Sequence, residues 1–447
     1  AVADTPDPDL TLNNFERVTA SLGAKAVLYE LFSVNPPSLK LYVDICANSP
    51  YLIGIITSNP GMIDELLDSL LLDQPRTADE LRTELGELLR GASDPDPILH
   101  SFQDKELLRV GVRDLIGRDT VRETTAGLSD IADTVLNAVF DRVEPKVREK
   151  HGAAGCRYAV LGLGKLGGRE ISYHSDLDLV VVYEADGPTV REQPAPSTNA
   201  RFFTDLTQRV IKHMSAVGPF GRLYDVDMKL RPAGKSSSLV VPLAEFRRYF
   251  AGGGGELWER QALTRARVLR GDAAFAEEVA ATIRTAILDA PWTPAAVDAV
   301  RAMREKLEAT ATPRNLKRGP GGIVDVEFVI QLLMLKYARR HPDILRPNAW
   351  DALDAAEHAG LLAATEARDF RDGYSFLRFV EARLRVVTDR PLTEVPASPE
   401  DREKLARRLG FDPAGGSAAA LFANELARHT ARIRSLYDQV TERERRS

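Results

Sequence analysis

Apolar residues recur along most of this chain at the spacing of one helix face. Residues 11 to about 150 carry that period in pieces. Pro36-Pro37, Pro60, Pro75 and the Asp-Pro-Asp-Pro run at 94–97 punctuate them, so the pattern predicts several short helices. The clearest piece starts at Thr120, an N-cap with Glu123 three residues on, as in a capping box. Leu128, Ile131, Val135, Leu136, Val139, Phe140 and Val143 then fall on one side of a 3.6-residue period. Residues 1–10 are polar and proline-containing and predict a tail.

The period changes after His151-Gly152. Residues 157–163 (RYAVLGL) and 176–183 (DLDLVVVY) are short apolar runs that predict buried strands. A proline-containing loop is expected at 188–196. A helix is expected at 202–214, with Phe203, Leu206, Val210 and Met214 on one side. Residues 223–230 (LYDVDMKL) alternate and predict a third strand, and 239–241 a fourth. Beyond Leu243 helical periodicity returns at 256–270, 293–308, 324–339, 363–388 and 418–443, interrupted by a Gly/Lys/Arg segment at 315–322. The expected fold class is therefore α+β, predominantly α-helical. It has an N-terminal helical region (1–150), a small mixed β-sheet core (151–255) and a C-terminal helical region (256–447).

Composition narrows the function classes. Hydrophobic residues make up 44% and charged residues 28%, ordinary for a soluble globular chain. The net charge of −6 gives no global bias toward nucleic acid, and disfavours a DNA-polymerase-like role. Cys46 and Cys156 are far apart and lack CxxC spacing, which excludes a disulfide framework or a zinc site and makes a reducing cytoplasm the expected compartment. No apolar run reaches 18 residues, so no membrane partner is expected. The first residues do not form a signal peptide, and the missing initiator Met suggests a segment of a larger protein.

The first candidate chemistry is a glycine turn. Residues 162–167 (GLGKLG) match the dinucleotide-binding pattern G-x-G-x-x-G, but only eight residues separate Gly167 from Asp176, too few for the crossover helix that pattern requires. The G-K-[ST] ending of a Walker loop is missing as well. What remains is a strand, a glycine turn and an acidic strand. Gly167-Gly168 would let a phosphate chain approach the backbone closely, and Lys165 would serve as a point charge.

The second is the acid pair. Alternation puts Asp176 and Asp178 on one strand face, with Cα atoms about 6.5–7 Å apart. Two such carboxylates repel unless something neutralises them; a solvent-facing pair at a strand end is the competing reading. Carboxylate oxygens suit Mg²⁺, and two ions about 4 Å apart can clamp the oxygens of a nucleotidyl transfer. A third carboxylate is expected from the next strand: Asp227, with Asp225 as the fallback. Arg231 is expected to reach a phosphate or to be a surface ion pair.

These residues resemble the nucleotidyltransferase superfamily, with its Gly-Gly and later Asp-x-Asp plus a third Asp. More closely, the chain resembles the glutamine synthetase adenylyltransferase/deadenylase family. The segments that carry the likeness are GLGKLGGREISYHSDLDLVVVY (162–183), YDVDMKLRPAG (224–234), LWERQALTRARVLRGD (257–272) and LKRGPGGIVDVEFVIQ (316–331), with LNNFERV and NPGMIDELL near the N-terminus. The resemblance implies Mg²⁺, with two ions, and ATP as substrate. It implies Asp176, Asp178 and Asp227 as metal-binding and catalytic carboxylates. Gly167, Gly168 and Lys165 correspond to the nucleotide-phosphate turn, and Ser175 to the residue leading the acid pair. Lys317, Gly321, Gly322, Asp325 and Glu327 match a further motif. Asp325 and Glu327 would lie about 200° apart on a helix starting at Val324, and are alternatively N-terminal helix acids.

The implied protein substrate is glutamine synthetase, and a nitrogen-signalling PII-type protein is the implied partner. Members of that family carry two halves, one adding AMP to a tyrosine and one removing it by phosphorolysis with release of ADP. Asp325 and the missing Met favour the C-terminal, adenylylating half; the deadenylylating half is the alternative. A non-catalytic module that binds nucleotide or a signalling protein is the alternative from another class.

Overall fold

Alternation along two strands decides how the centre of the molecule is layered. In the computed structural model, which describes residues 2–22, 25–62, 74–190, 197–289, 292–412 and 415–446, β1 is Tyr158–Gly162 and β2 is Leu177–Tyr183. Val160, Leu177, Leu179, Val181 and Tyr183 enter a core shared with the N-terminal helices. Ala159, Leu161, Val180 and Val182 enter a second core on the opposite face, with Phe246, Phe275 and Ile283. Period-2 alternation thus buries both faces of the sheet.

Three further strands complete it: β3 (Val226–Asp227), β4 (Val240–Pro242) and β5 (Arg267–Gly271). β1 is antiparallel to β2 and β5, whereas β3 and β4 run parallel to β2 at its two ends. The antiparallel β1–β2 pair is incompatible with a Rossmann crossover, which joins parallel strands. The glycine turn between them is a single helical turn, Gly164–Gly167.

The helical regions follow the periodicity. The Val121–His151 helix starts at Thr120 with the reciprocal Thr120/Glu123 capping box, and all seven of its expected apolar residues are buried. Helices Pro36–Asn48 and Pro50–Ser58 each open on a proline at their first turn, where the missing N–H costs nothing. Among the described residues no single helix is long and apolar enough to cross a membrane; only those two pass together, and they are bent by 114°. A separate apolar core joins the C-terminal helices Pro294–Glu308, Ile323–Tyr337, Ala364–Thr388 and Ala418–Arg446.

Three expectations change. The helix expected at 256–270 is a short helix, Leu257–Leu263, followed by β5. Pairing with the open edge of β1 outweighs local helix preference there. Arg267 and Arg270 reach Asp133 (2.6 Å) and Asp141 (2.7 Å) of the Val121–His151 helix. The third strand shrinks from 223–230 to two residues. The Asp227 carboxylate accepts the Lys229 amide (2.8 Å), and this local bond turns the chain out of the ladder. The expected N-terminal tail is helical from Pro8, with Asp7 as its N-cap. Residues 191–196 of the expected 188–196 loop, and 63–67 of the NPGMIDELL stretch, lie outside the described residues.

Candidate active site

Register brings the acids together. β2 and β3 pair in parallel with Asp178 directly opposite Asp227, so the two side chains stand side by side on one face. Asp176 precedes β2 by one residue. One carboxylate oxygen from each of the three lies within 4.8 Å of the others. Asp225 is displaced from this group. Its side chain pairs with Arg222, and its carbonyl accepts the Leu177 amide (2.8 Å).

Electrostatics single out Asp178. Burial, then the charges of Asp176 and Asp227, raise its pKa to about 7, opposed by Lys317 and Lys229. Three carboxylates that close could hold a hard divalent cation. A cation bound there would displace a proton from Asp178 at pH values below about 7. Mg²⁺ affinity, followed by titration calorimetry, should therefore rise as pH passes through about 7, with about one proton released per site at lower pH. Asp178→Asn should remove that slope. The linked stability has the opposite sign. The folded-state pKa lies above the unfolded value of about 3.9. The cation-free protein is thus stabilised by this group at low pH and loses that contribution as pH rises through 7.

The acids face a cavity of about 920 Å³, also lined by Gly164, Lys165, Ser175 and Lys317. Gly164 sits at φ 53°, and a Cβ there would collide with the Asp178 carboxylate. Gly167 and Gly168 are not among the described residues lining the cavity. Their amides donate within the turn, to Leu163 O (2.9 Å) and Gly164 O (3.2 Å). A Cβ on Gly167 would run into the Arg265 carbonyl, so its smallness serves close packing of β5's approach against the turn. The Gly168 carbonyl accepts Asn348 (2.8 Å). Arg231 is likewise elsewhere: it is buried and donates to the carbonyls of Ser238 (3.0 Å), Met228 (2.5 Å) and Ser237 (3.2 Å), closing the 228–238 loop.

Lys165 is the largest surprise among the candidates. Its ammonium lies on the fully buried Glu381 carboxylate, at 2.9 and 3.0 Å. Burial lowers its pKa to about 7 while Glu381 holds it up. Glu381 also receives Arg385 (3.1 Å) and Arg378 (3.2 Å), and its own pKa is held well below the usual carboxylate range by those cations. Arg385 in turn donates to Tyr173 O (2.9 Å) and Ser175 Oγ (3.4 Å), fixing the segment that leads into Asp176. Ser175 Oγ accepts the Ser172 amide (2.9 Å). His174, between them, is held at φ 55°, a conformation uncommon outside glycine. Glu381, Arg378 and Arg385 carry no local sequence signal. They lie on a helix more than 200 residues from the turn they support.

The second motif splits. Asp325 is fully buried and accepts Arg304 and the Gly321 amide (2.7 Å), tying the 315–322 segment to two helices. Glu327 lines the cavity and pairs with Arg265 (2.7 Å), whose other nitrogen reaches buried Glu170 (2.7 Å). The two acids serve different partners, as their separation around the helix dictates.

A small mixed sheet with acids on two paired strands, a third acid just ahead of them and a glycine turn alongside is a core of the nucleotidyltransferase class. The chain belongs to the glutamate-ammonia ligase adenylyltransferase family, whose model matches residues 39–282. A model for GlnD PII-uridylyltransferase matches residues 296–441. Similar proteins named bifunctional glutamine synthetase adenylyltransferase/adenylyl-removing enzyme occur in Thioalkalivibrio sulfidiphilus (32% identity; 91% of this chain, 44% of the relative), Xanthobacter autotrophicus (32%; 99% and 45%) and Streptomyces coelicolor (31%; 98% and 43%). The chain spans less than half the length of these relatives.

Proposed function

We propose that this chain transfers AMP from ATP to a tyrosine of glutamine synthetase. The observation that carries this reading is the lateral pairing of Asp178 with Asp227 beside Asp176, inside a cavity large enough for a nucleotide. Asp176, Asp178 and Asp227 would hold Mg²⁺, two ions by the family pattern. The close spacing of their oxygens and the raised pKa of Asp178 fit a cation there. Bound there, the ions supply charge neutralisation and Lewis-acid polarisation of phosphate oxygens.

In the reaction, the tyrosine oxygen forms a bond to the α-phosphorus, the bond to the β-phosphate oxygen breaks, and pyrophosphate leaves. A tyrosine pKa near 10 calls for help in losing its proton, and Asp227, the half-buried acid at the cavity edge, is placed to take it. Lys317 faces the same cavity and offsets phosphate charge. Gly164 lets the Asp178 carboxylate lie close against the turn, while Gly167, Gly168, Lys165 and Arg231 hold the frame around it. The helical regions would dock the protein substrate and a PII-type signalling protein, in a reducing cytoplasm.

Two incubations test the reading and its direction: unmodified glutamine synthetase with α-labelled ATP, and AMP-modified glutamine synthetase with phosphate. Label transfer in the first supports adenylylation. ADP release confined to the second assigns the chain to the removing reaction. Partner binding with turnover in neither leaves a regulatory module and sinks the enzyme reading.

A further inference from the structure

One wall of the cavity is built differently from the acidic end. Three helices contribute to it at helical spacing. Trp258, Gln261 and Ala262 come from Leu257–Leu263, Phe328 and Gln331 from Ile323–Tyr337, and Met303 from Pro294–Glu308. Apart from the two amides and the indole N–H these side chains are apolar, the neighbouring Arg265 and Glu327 are paired with each other (2.7 Å), and Trp258 leaves 38% of its surface uncovered. A flat apolar ligand part fits such a wall, and a polyphosphate does not.

The two amides break the apolar pattern. Gln261 Nε2 donates to Gln331 Oε1 at 3.1 Å. Gln261 is only 3% exposed, yet its Oε1 is buried without any hydrogen-bond partner. A buried carbonyl oxygen left unpaired is destabilising, so a ligand donor that meets it is favoured. The couple therefore leaves one acceptor unpaired, on Gln261, and both residues line the cavity. Turning both amides over exchanges the roles but still leaves one acceptor and one donor.

We propose that the Gln261–Gln331 couple reads the nucleobase edge of the bound nucleotide, accepting from the exocyclic amino group of adenine and donating to the neighbouring ring nitrogen. This rests on the reading of the cavity as a nucleotide site. Trp258 and Phe328 cover the ring, and the triphosphate extends toward the carboxylates. Gln261 and Gln331 are specificity-determining residues in this arrangement, distant in sequence from the acid pair and the glycine turn.

The test compares Mg²⁺-dependent binding of ATP, of purine riboside triphosphate (the same nucleotide without the 6-amino group) and of inorganic tripolyphosphate, by titration calorimetry. The wild-type chain should bind ATP about tenfold more tightly than the deamino analogue, the consequence of leaving a buried acceptor unpaired. Gln261→Leu should remove that preference, and Gln331→Leu should weaken it. Equal affinity of the wild-type chain for ATP and the analogue overturns the proposal without any variant, so misfolding cannot mask the answer. So does a preference that survives in Gln261→Leu. Tight binding of tripolyphosphate with no gain from the base removes the nucleobase subsite while leaving the phosphate site standing. No binding of any of the three removes both readings.

Discussion

Replacing Asp178 by Asn is expected to cut the proposed AMP transfer by on the order of 10³-fold or more, with Asp176→Asn close behind, while the fold survives. Asn keeps the shape of Asp178 and its place opposite Asp227, but removes the negative charge that a divalent cation needs from its donor set. The fold should tolerate the change, because it relieves a repulsion: the neighbouring carboxylates and burial are what raise the Asp178 pKa to about 7. The variant should therefore unfold at an equal or higher temperature than the wild type in the absence of Mg²⁺, and lose the Mg²⁺-induced gain. Circular dichroism melts with and without the ion, together with label transfer to glutamine synthetase, make the check. Near-wild-type turnover by either variant with Mg²⁺ would mean that the chemistry lies elsewhere.

The second large effect is on stability. Glu381→Ala should destabilise the protein by about 3–5 kcal/mol, because it strands buried cations rather than removing a matched pair. Lys165, Arg378 and Arg385 all lie on the Glu381 carboxylate, and each is at least largely buried. Lys165→Met should cost less, since Glu381 keeps both arginines. Urea midpoints of the two variants give the comparison. Glu381→Ala should also lower activity through a route that Lys165→Met does not share: Arg385 loses its anchor and with it the hold on Tyr173 and Ser175, ahead of Asp176. A Glu381→Ala protein as stable as the wild type would show that this network contributes nothing to holding the site.

Much of the fold was legible because its causes are local. The Thr120/Glu123 box, the period along the Val121–His151 helix and the alternation of 177–183 depend on residues within a few positions of one another, and each formed as its pattern predicts. The segment 256–270 failed for the opposite reason. Its local preference is helical, but residues 267–271 are claimed by the free edge of β1, more than 100 positions earlier. The third strand failed because a single Asp-to-backbone bond ended it early.

The site divides the same way. Sequence alone determined that Asp176 and Asp178 lie two apart at a strand, that glycines precede them and that a third acid follows on a later segment, because spacing along a strand fixes side-chain direction. It left Asp227 and Asp225 as alternatives; only the parallel register of two strands set Asp227 against Asp178 and turned Asp225 toward Arg222. Tertiary structure alone also engaged Lys165 with Glu381, withdrew Arg231 into its own loop and joined Gln261 to Gln331. The Lys165 and Gln261 pairings are chosen by burial: a charge or amide taken out of water must meet its partner from whichever element packs against it, and no spacing along the chain records which element that is; Arg231 instead turns to carbonyls of its own loop.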